Sequence, residues 1–250
     1  MAVEMLNASP KWGKAPLIAP SGLGYIHIGA EVEPPSRPGP VLRRSRGKKQ
    51  LLAQLKEAAT RLEQRPDVQK ATVFDATSFM PGGEYIKEHP EKPPAKFDVV
   101  VLIEADSEDV LSGVQASEEY RALISLLEPK AQRLHVIQAR NLKRIGDVDK
   151  TRKGTFVFNH LIGDDPDVVT EHWEWLGGWY LVETGLNNST LFVPLPGQQS
   201  DYVAINNARW NIGLPRLILK QLPKRSFWNY VTKNLDAHHI GAWPVFYRLS

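Results

Sequence analysis

Two kinds of hydrophobic spacing alternate along the chain in a fixed order, and that order limits the folds open to it. GYIHIGAEVE at 24–33 sets Ile26, Ile28, Ala30 and Val32 against Tyr25, His27, Gly29 and Glu31, the period-two pattern of a half-buried strand. KKQLLAQLKEAATRLEQR (48–65) then places Leu51, Leu52, Leu55, Ala58, Ala59 and Leu62 on one helical face, and Pro66 ends the helix. VQKATVFDATSF and KFDVVVLIEA predict two strands, separated by a Gly/Pro/Lys-rich loop from Pro81 to Lys96. Ser107 starts a long helix, SEDVLSGVQASEEYRALISLLE, whose early acids suit the positive end of its dipole. RLHVIQARNL closes the set at Leu142. The order β-α-β-β-α-β is the ferredoxin-like unit.

Past the charged link KRIGDVDKTRK the same order returns. GTFVFNHLI predicts a strand, and Asp164, Asp165 and Pro166 start a helix, DPDVVTEHWEWLGGWYLVE. GLNNSTLFVPL and DYVAINNARW follow as strands, LPRLILKQLPKRSFWNYVTKNLDA as a helix interrupted near Pro223, and AWPVFYRL as the closing strand. The implied organisation is an extension at 1–20, a first unit at 21–143, a link at 144–153 and a second unit at 154–250. Helices cover one face of each sheet, so the other must be buried or lined with function. The expected fold class is therefore α+β: two ferredoxin-like βαββαβ repeats packed sheet to sheet as an intrachain dimeric α+β barrel.

Composition removes several functions. The chain has no cysteine, which excludes a disulfide framework, a thiolate nucleophile, an iron–sulfur cluster and Cys-ligated zinc. Lys and Arg number 31 against 28 Asp and Glu, a balance that demands no nucleic-acid partner. The basic run RRSRGKK, Arg43 to Lys49, stands between a Pro-rich loop and a helix and is expected to be a solvated face. No run reaches the length of a membrane span, so no membrane partner and a cytoplasmic location are expected. GxGxxG after a strand, a P-loop, a GxSxG elbow and HExxH are all missing.

The strand YVAINNARW (202–210) exchanges apolar residues for two amides and an arginine. An amide buried without a partner costs roughly 2–7 kcal/mol, so these groups either meet water or line a pocket. If Val203 and Ile205 pack under the helices, alternation points Tyr202, Asn206 and Trp210 into the barrel. In TEHWEWLGGWY, helical spacing groups His172, Trp175, Leu176 and Trp179 on one face. That face either closes an aromatic pocket, with His172 as acid, base or haem ligand, or packs on its sheet. Gly177 and Gly178 allow a bend or a close backbone approach. His160 shares parity with Phe156 and Phe158 and is expected to be a satisfied core histidine, which turns Asn159 to the opposite face, expected to be the interior. Tyr230 and Tyr247 are placed at the barrel mouth. His238 and His239 are adjacent, cannot face one side together, and make a weak metal signal.

GLNNSTLFVPLPGQQSDYVAINNARW and the segments after it, to Leu249, resemble the antibiotic-biosynthesis monooxygenases of the dimeric α+β barrel superfamily. GLNNS stands for their second-strand motif, NNARW for their Asn-Tyr-Ala-Gln-Trp strand end, and SFWNY and VFYRL for the last helix and strand. Asn207 replaces the usual Tyr and Arg209 the Gln. The resemblance implies that Asn206 and Trp210 bind and oxidise an aromatic or polyketide-like substrate without metal or flavin; His172, on the helix face above, is the further catalytic candidate. Tyr202, Trp175, Trp179, Asn159 and Tyr247 are the expected substrate-binding residues. A cyclase using acid–base groups, a haem-binding barrel with His172 or His160 as axial ligand, and a non-catalytic binding barrel are the alternatives within the superfamily. A homodimer is possible on the same grounds.

Overall fold

The computed structural model describes residues 3–40 and 44–250. Its strands are β1 (Gly24–Glu31), β2 (Gly39–Pro40), β3 (Val68–Phe79), β4 (Val99–Ala105), β5 (Arg133–Gly146), β6 (Thr155–Gly163), β7 (Ser189–Pro194), β8 (Ala204–Trp210) and β9 (Ile240–Leu249). The helices are α1 (Arg46–Leu62), α2 (Glu84–Glu88), α3 (Leu111–Ala116), α4 (Glu118–Leu127), α5 (Pro166–Thr184), α6 (Leu214–Gln221) and α7 (Lys233–Ala237), with a π-helical turn at Phe227–Thr232 before α7. Pairing runs β3-β4-β1-β5-β7-β8-β6-β9 and closes through β9 and β3, so eight antiparallel strands form a barrel and the short β2 hangs on β3. Closure abolishes the sheet edge.

Both faces of the barrel wall are buried, which corrects the half-buried expectation for β1. Its Ile26, Ile28 and Ala30 meet α1, α3 and α4, while Tyr25 points inward. Gly29 is required there: a Cβ would stand 2.7 Å from the Phe97 ring. The interior is aromatic, built from Phe74, Phe97, Phe156, Phe158, Phe192 and Tyr247. His27 and His160 sit among them with no exposure, their rings 5.3 Å apart, and His135 lies 6.3 Å from His27. His160 is a core residue as expected but not a satisfied one, since neither ring nitrogen meets a protein partner. Burial lowers the pKa of all three: His27 to about 3, His135 to about 4, and His160 well below the usual value.

Several elements differ from expectation for local reasons. The helix expected over 107–128 breaks at Ser117, whose hydroxyl accepts from Tyr120 N at 3.2 Å and caps α4 as a separate helix. β5 runs on to Gly146, and β7 starts only at Ser189 because Asn188 turns its amide onto the backbone of Arg209. The break near Pro223 is present, between α6 and the π turn. Of the basic run, Arg43 lies outside the described residues, and Lys48 is not solvated. Its Nζ is buried 2.6 Å from Asp98 Oδ2 and 3.3 Å from Asp75 Oδ1. Arg44 and Arg248 also bind Asp75. Two buried carboxylates need countercharge, and they draw the start of α1 onto the β3–β9 seam.

Candidate functional site

A cavity of about 520 Å³ lies outside the barrel, between the outward face of β6, β8 and β9 and the layer made by α5, α6, the π turn and α7. Its volume falls in the range that holds a small organic ligand. One side is closed by the first half of the chain, where Met80–Glu84 and Lys87 reach across from the end of β3 and α2. That strap is fixed by Met80 N to Pro244 O (3.2 Å), by Glu84 N to Asp236 Oδ1 (3.0 Å) and by the Tyr85 hydroxyl to Asp164 (2.7 Å).

Asn206 and Trp210 were expected inside the barrel, and the structure places them on the other side of the wall. The cause is a break in alternation at the entry to β8. Tyr202 packs inward with Phe97 and His160, but Val203 and Ala204 both belong to the outer layer. From there Asn206, Ala208 and Trp210 face the helices, and Ile205, not expected there, faces the barrel. Asn207 is buried on the barrel side and donates to Val157 O at 3.1 Å. Asn159 is the register partner of Asn206 and faces the cavity with it, not the barrel interior.

Of the expected residues, Asn206, Trp210, His172 and Asn159 therefore come together around one cavity. Four others do not. Tyr202 and Tyr247 are barrel-core residues, Tyr247 donating to Phe97 O at 2.6 Å. Trp179 is buried on the far side of α5 against Val3, Met5 and Phe227, and Trp175 packs beside Lys14. Tyr230 joins that same far-side cluster rather than a barrel mouth. The cavity face of α5 is instead Val169, His172, Trp173, Leu176, Gly177 and Tyr180. Gly178 does admit another backbone, since a Cβ there would meet Gly13 O at 1.7 Å.

Trp173 was not singled out in the sequence and orders the site. Its Nε1, which can only donate, lies 2.9 Å from Asn206 Oδ1, and Ser189 Oγ donates to the same oxygen. The amide orientation is thereby fixed, with its Nδ2–H₂ edge turned away from Trp173. Trp210 is held by its own donor to Thr184 Oγ1 at 2.9 Å, leaving the indole face along the cavity. The buried Oδ1 of Asn159 and both ring nitrogens of His172 have no protein partner. Burial, and then the neighbouring His238 ring 4.4 Å away, lower the His172 pKa to about 4, so it is neutral near pH 7. Burial raises the Tyr180 pKa, keeping that hydroxyl protonated beside Gln221. Among the described residues no group of three or more His, Asp or Glu is arranged to hold a metal ion, and none of their helices is long and apolar enough to cross a membrane.

No family model and no curated protein matches the chain. Solved structures do. An anthrone oxidase-like protein superposes with a TM-score of 0.62 at 12% identity over 94% of both chains. A provisionally named monooxygenase of Fusobacterium nucleatum gives 0.53 at 8% identity over 91% of each. Another, from Lactobacillus acidophilus NCFM, gives 0.50 at 7% identity over 91% of this chain and 94% of that one. At these identities the likeness is one of architecture. The chain shares the α+β barrel fold of these proteins.

Proposed function

We propose that the chain is an oxygenase acting without metal or flavin on an aromatic or polyketide-like molecule held in the cavity of its second half. Its organisation is read as two ferredoxin-like units, 21–143 and 154–250, of which only the second carries a site. One observation supports the chemistry above the others. The Asn206 amide is locked by Trp173, with its N–H edge free to meet a substrate oxygen in a mainly apolar cavity whose other polar groups include Asn159 and His172.

An activated phenol or anthrone loses a proton to give a delocalised anion, and Asn206 Nδ2–H stabilises the charge on its oxygen in a site of low polarity. The anion passes one electron to O₂, and the resulting radical and superoxide combine to form a C–O bond. Loss of water from that hydroperoxide leaves a carbonyl, so CH₂ and O₂ become C=O and H₂O. Trp210 offers a stacking face for the ring. Neutral His172 offers an acceptor nitrogen for the departing proton.

Oxygen uptake with a panel of anthrones and quinols tests this. Asn206→Ala should lower turnover by about 10²–10³, the cost of removing one oxyanion donor. Conversion that proceeds without oxygen would point to a cyclase, and no turnover, with binding unchanged in both Asn206→Ala and Trp210→Phe, would leave a non-catalytic barrel. Haem is a second reading, favoured by the two unpartnered nitrogens of His172 at the cavity wall. His160 does not fit an axial role, being enclosed by His27, Phe97 and Tyr202 at 5.3, 5.2 and 4.8 Å between ring centres. Reconstitution that yields no Soret band removes haem altogether.

A further inference from the structure

Between Asn211 and Leu235 the chain carries five cations, Arg216, Lys220, Lys224, Arg225 and Lys233, and no acid. This stretch is α6, its link and the π turn, the outermost wall of the cavity. Lys220 and Lys224 are drawn back to the end of α5, onto Thr184 O and Glu183. Arg216, Arg225 and Lys233 remain exposed. Beside them stand two large apolar groups in water, Leu219 at 72% and Trp228 at 51% exposure. The Trp228 indole donates to Leu222 O at 2.8 Å, which pins its ring one helical turn beyond Leu219. Ile218, Leu222 and Trp228 also border the cavity.

Leu219 and about half of Trp228 leave apolar surface in water, and Arg216 and Arg225 have no acid in their own stretch of chain. Both are resolved at one kind of surface. Tryptophan prefers the headgroup boundary of a bilayer, a helix with an apolar edge and flanking cations lies in that plane, and anionic headgroups attract each nearby Lys or Arg. We propose that Leu214–Lys233 docks on an anionic lipid surface, with Leu219 and Trp228 entering the headgroup boundary and Arg216, Arg225 and Lys233 meeting lipid phosphates. The cavity rim then faces the bilayer, so a sparingly soluble ligand passes from lipid to site without crossing water. The sequence expectation was of no membrane partner; it rested on the lack of a spanning segment, which this contact does not need.

Co-sedimentation of the full chain with sucrose-loaded vesicles decides it, independently of any activity. Vesicles of equal parts phosphatidylglycerol and phosphatidylcholine should bind at least about tenfold more protein than pure phosphatidylcholine, and raising salt from about 0.1 M to about 1 M should release it. Leu219→Glu, and separately Arg216→Glu with Arg225→Glu, should each lower that binding by about tenfold while the thermal unfolding curve stays unchanged. These side chains are exposed, so the variants are expected to fold. The proposal is overturned by absence of binding, by equal binding to both vesicle types, or by binding retained in Leu219→Glu. A vesicle-independent dimer that Leu219→Glu converts to monomer also overturns it, assigning the face to a second copy of the chain.

Discussion

Strand β4 turns Val99, Val101 and Ile103 outward onto α1, α3 and α4, and those helices fill the space with leucines. Strand β8 turns Ala204, Asn206 and Ala208 outward toward α5, and a hollow remains. Aligned on their inward-facing histidines, His27 and His160, the two halves correspond closely at one pair: the cross-strand neighbours Ile26 and Ile103 of the first stand where Asn159 and Asn206 stand in the second. Corresponding outward positions thus border a packed core in one half and a cavity in the other, according to the size and polarity of a few side chains. The first half also lends its strap, Met80–Lys87, to the site it does not itself contain.

The sharpest way to break this comparison is to give the first half the second half's amide. Ile103→Asn buries an unpartnered amide where no cavity exists and should lower the unfolding free energy by about 3–5 kcal/mol, read by urea denaturation. A loss below about 1 kcal/mol would mean that the first layer is not tightly filled. Acid comes next. His27 has a folded pKa of about 3, and His135 and His172 about 4. Above an unfolded value of about 6.5 both states are neutral and stability is complete. As pH falls below it, the unfolded chain binds protons that the folded chain refuses. Each such histidine then removes about 1.4 kcal/mol per pH unit until its folded pKa is reached. His27→Phe should flatten the fall between about pH 6.5 and 4.5 by about 3 kcal/mol, and an unchanged slope would remove the barrel histidines as its source.

Smaller effects come from the reverse exchange and from the clamp. Asn159→Leu removes a buried amide oxygen that has no protein partner, and should raise stability by about 1 kcal/mol while weakening ligand binding in the cavity, measured by denaturation and calorimetry. Trp173→Phe keeps the ring and loses the donor that orients Asn206. Turnover should fall about tenfold with stability lowered by about 1 kcal/mol, the worth of one hydrogen bond. Equal turnover in Trp173→Phe would show that the amide needs no orienting partner.

The strands and most helices were legible because their spacings are regular, and α5 was announced by Asp165 and Pro166. Which face of a strand looks inward was not. In a closed barrel clad in helices both faces are apolar, so alternation carries no sign, and the break at Val203–Ala204 then reversed the assignment for Asn206 and Trp210. The face of α5 was obscured because Trp173, Trp175, Trp179 and Tyr180 surround the helix, and only the spacing of Asp167, Glu171 and Glu174 marks the side opposite Leu176 and Tyr180. The cap at Ser117 was missed by reading one helix through it, although Glu118 and Glu119 follow it as Glu108 and Asp109 follow Ser107. The burial of Lys48 was not legible, because Asp75 and Asp98 are distant in sequence.

The barrel is sealed by pairing β3 with β9, where Asp75 meets Arg248 across 173 positions of chain. A polypeptide leaving the ribosome therefore cannot complete this fold until its last strand has emerged, and until then β3 and β6 offer open hydrogen-bonding edges to other chains. Loss of a few residues from β9 would produce insoluble material during synthesis rather than a weakened protein.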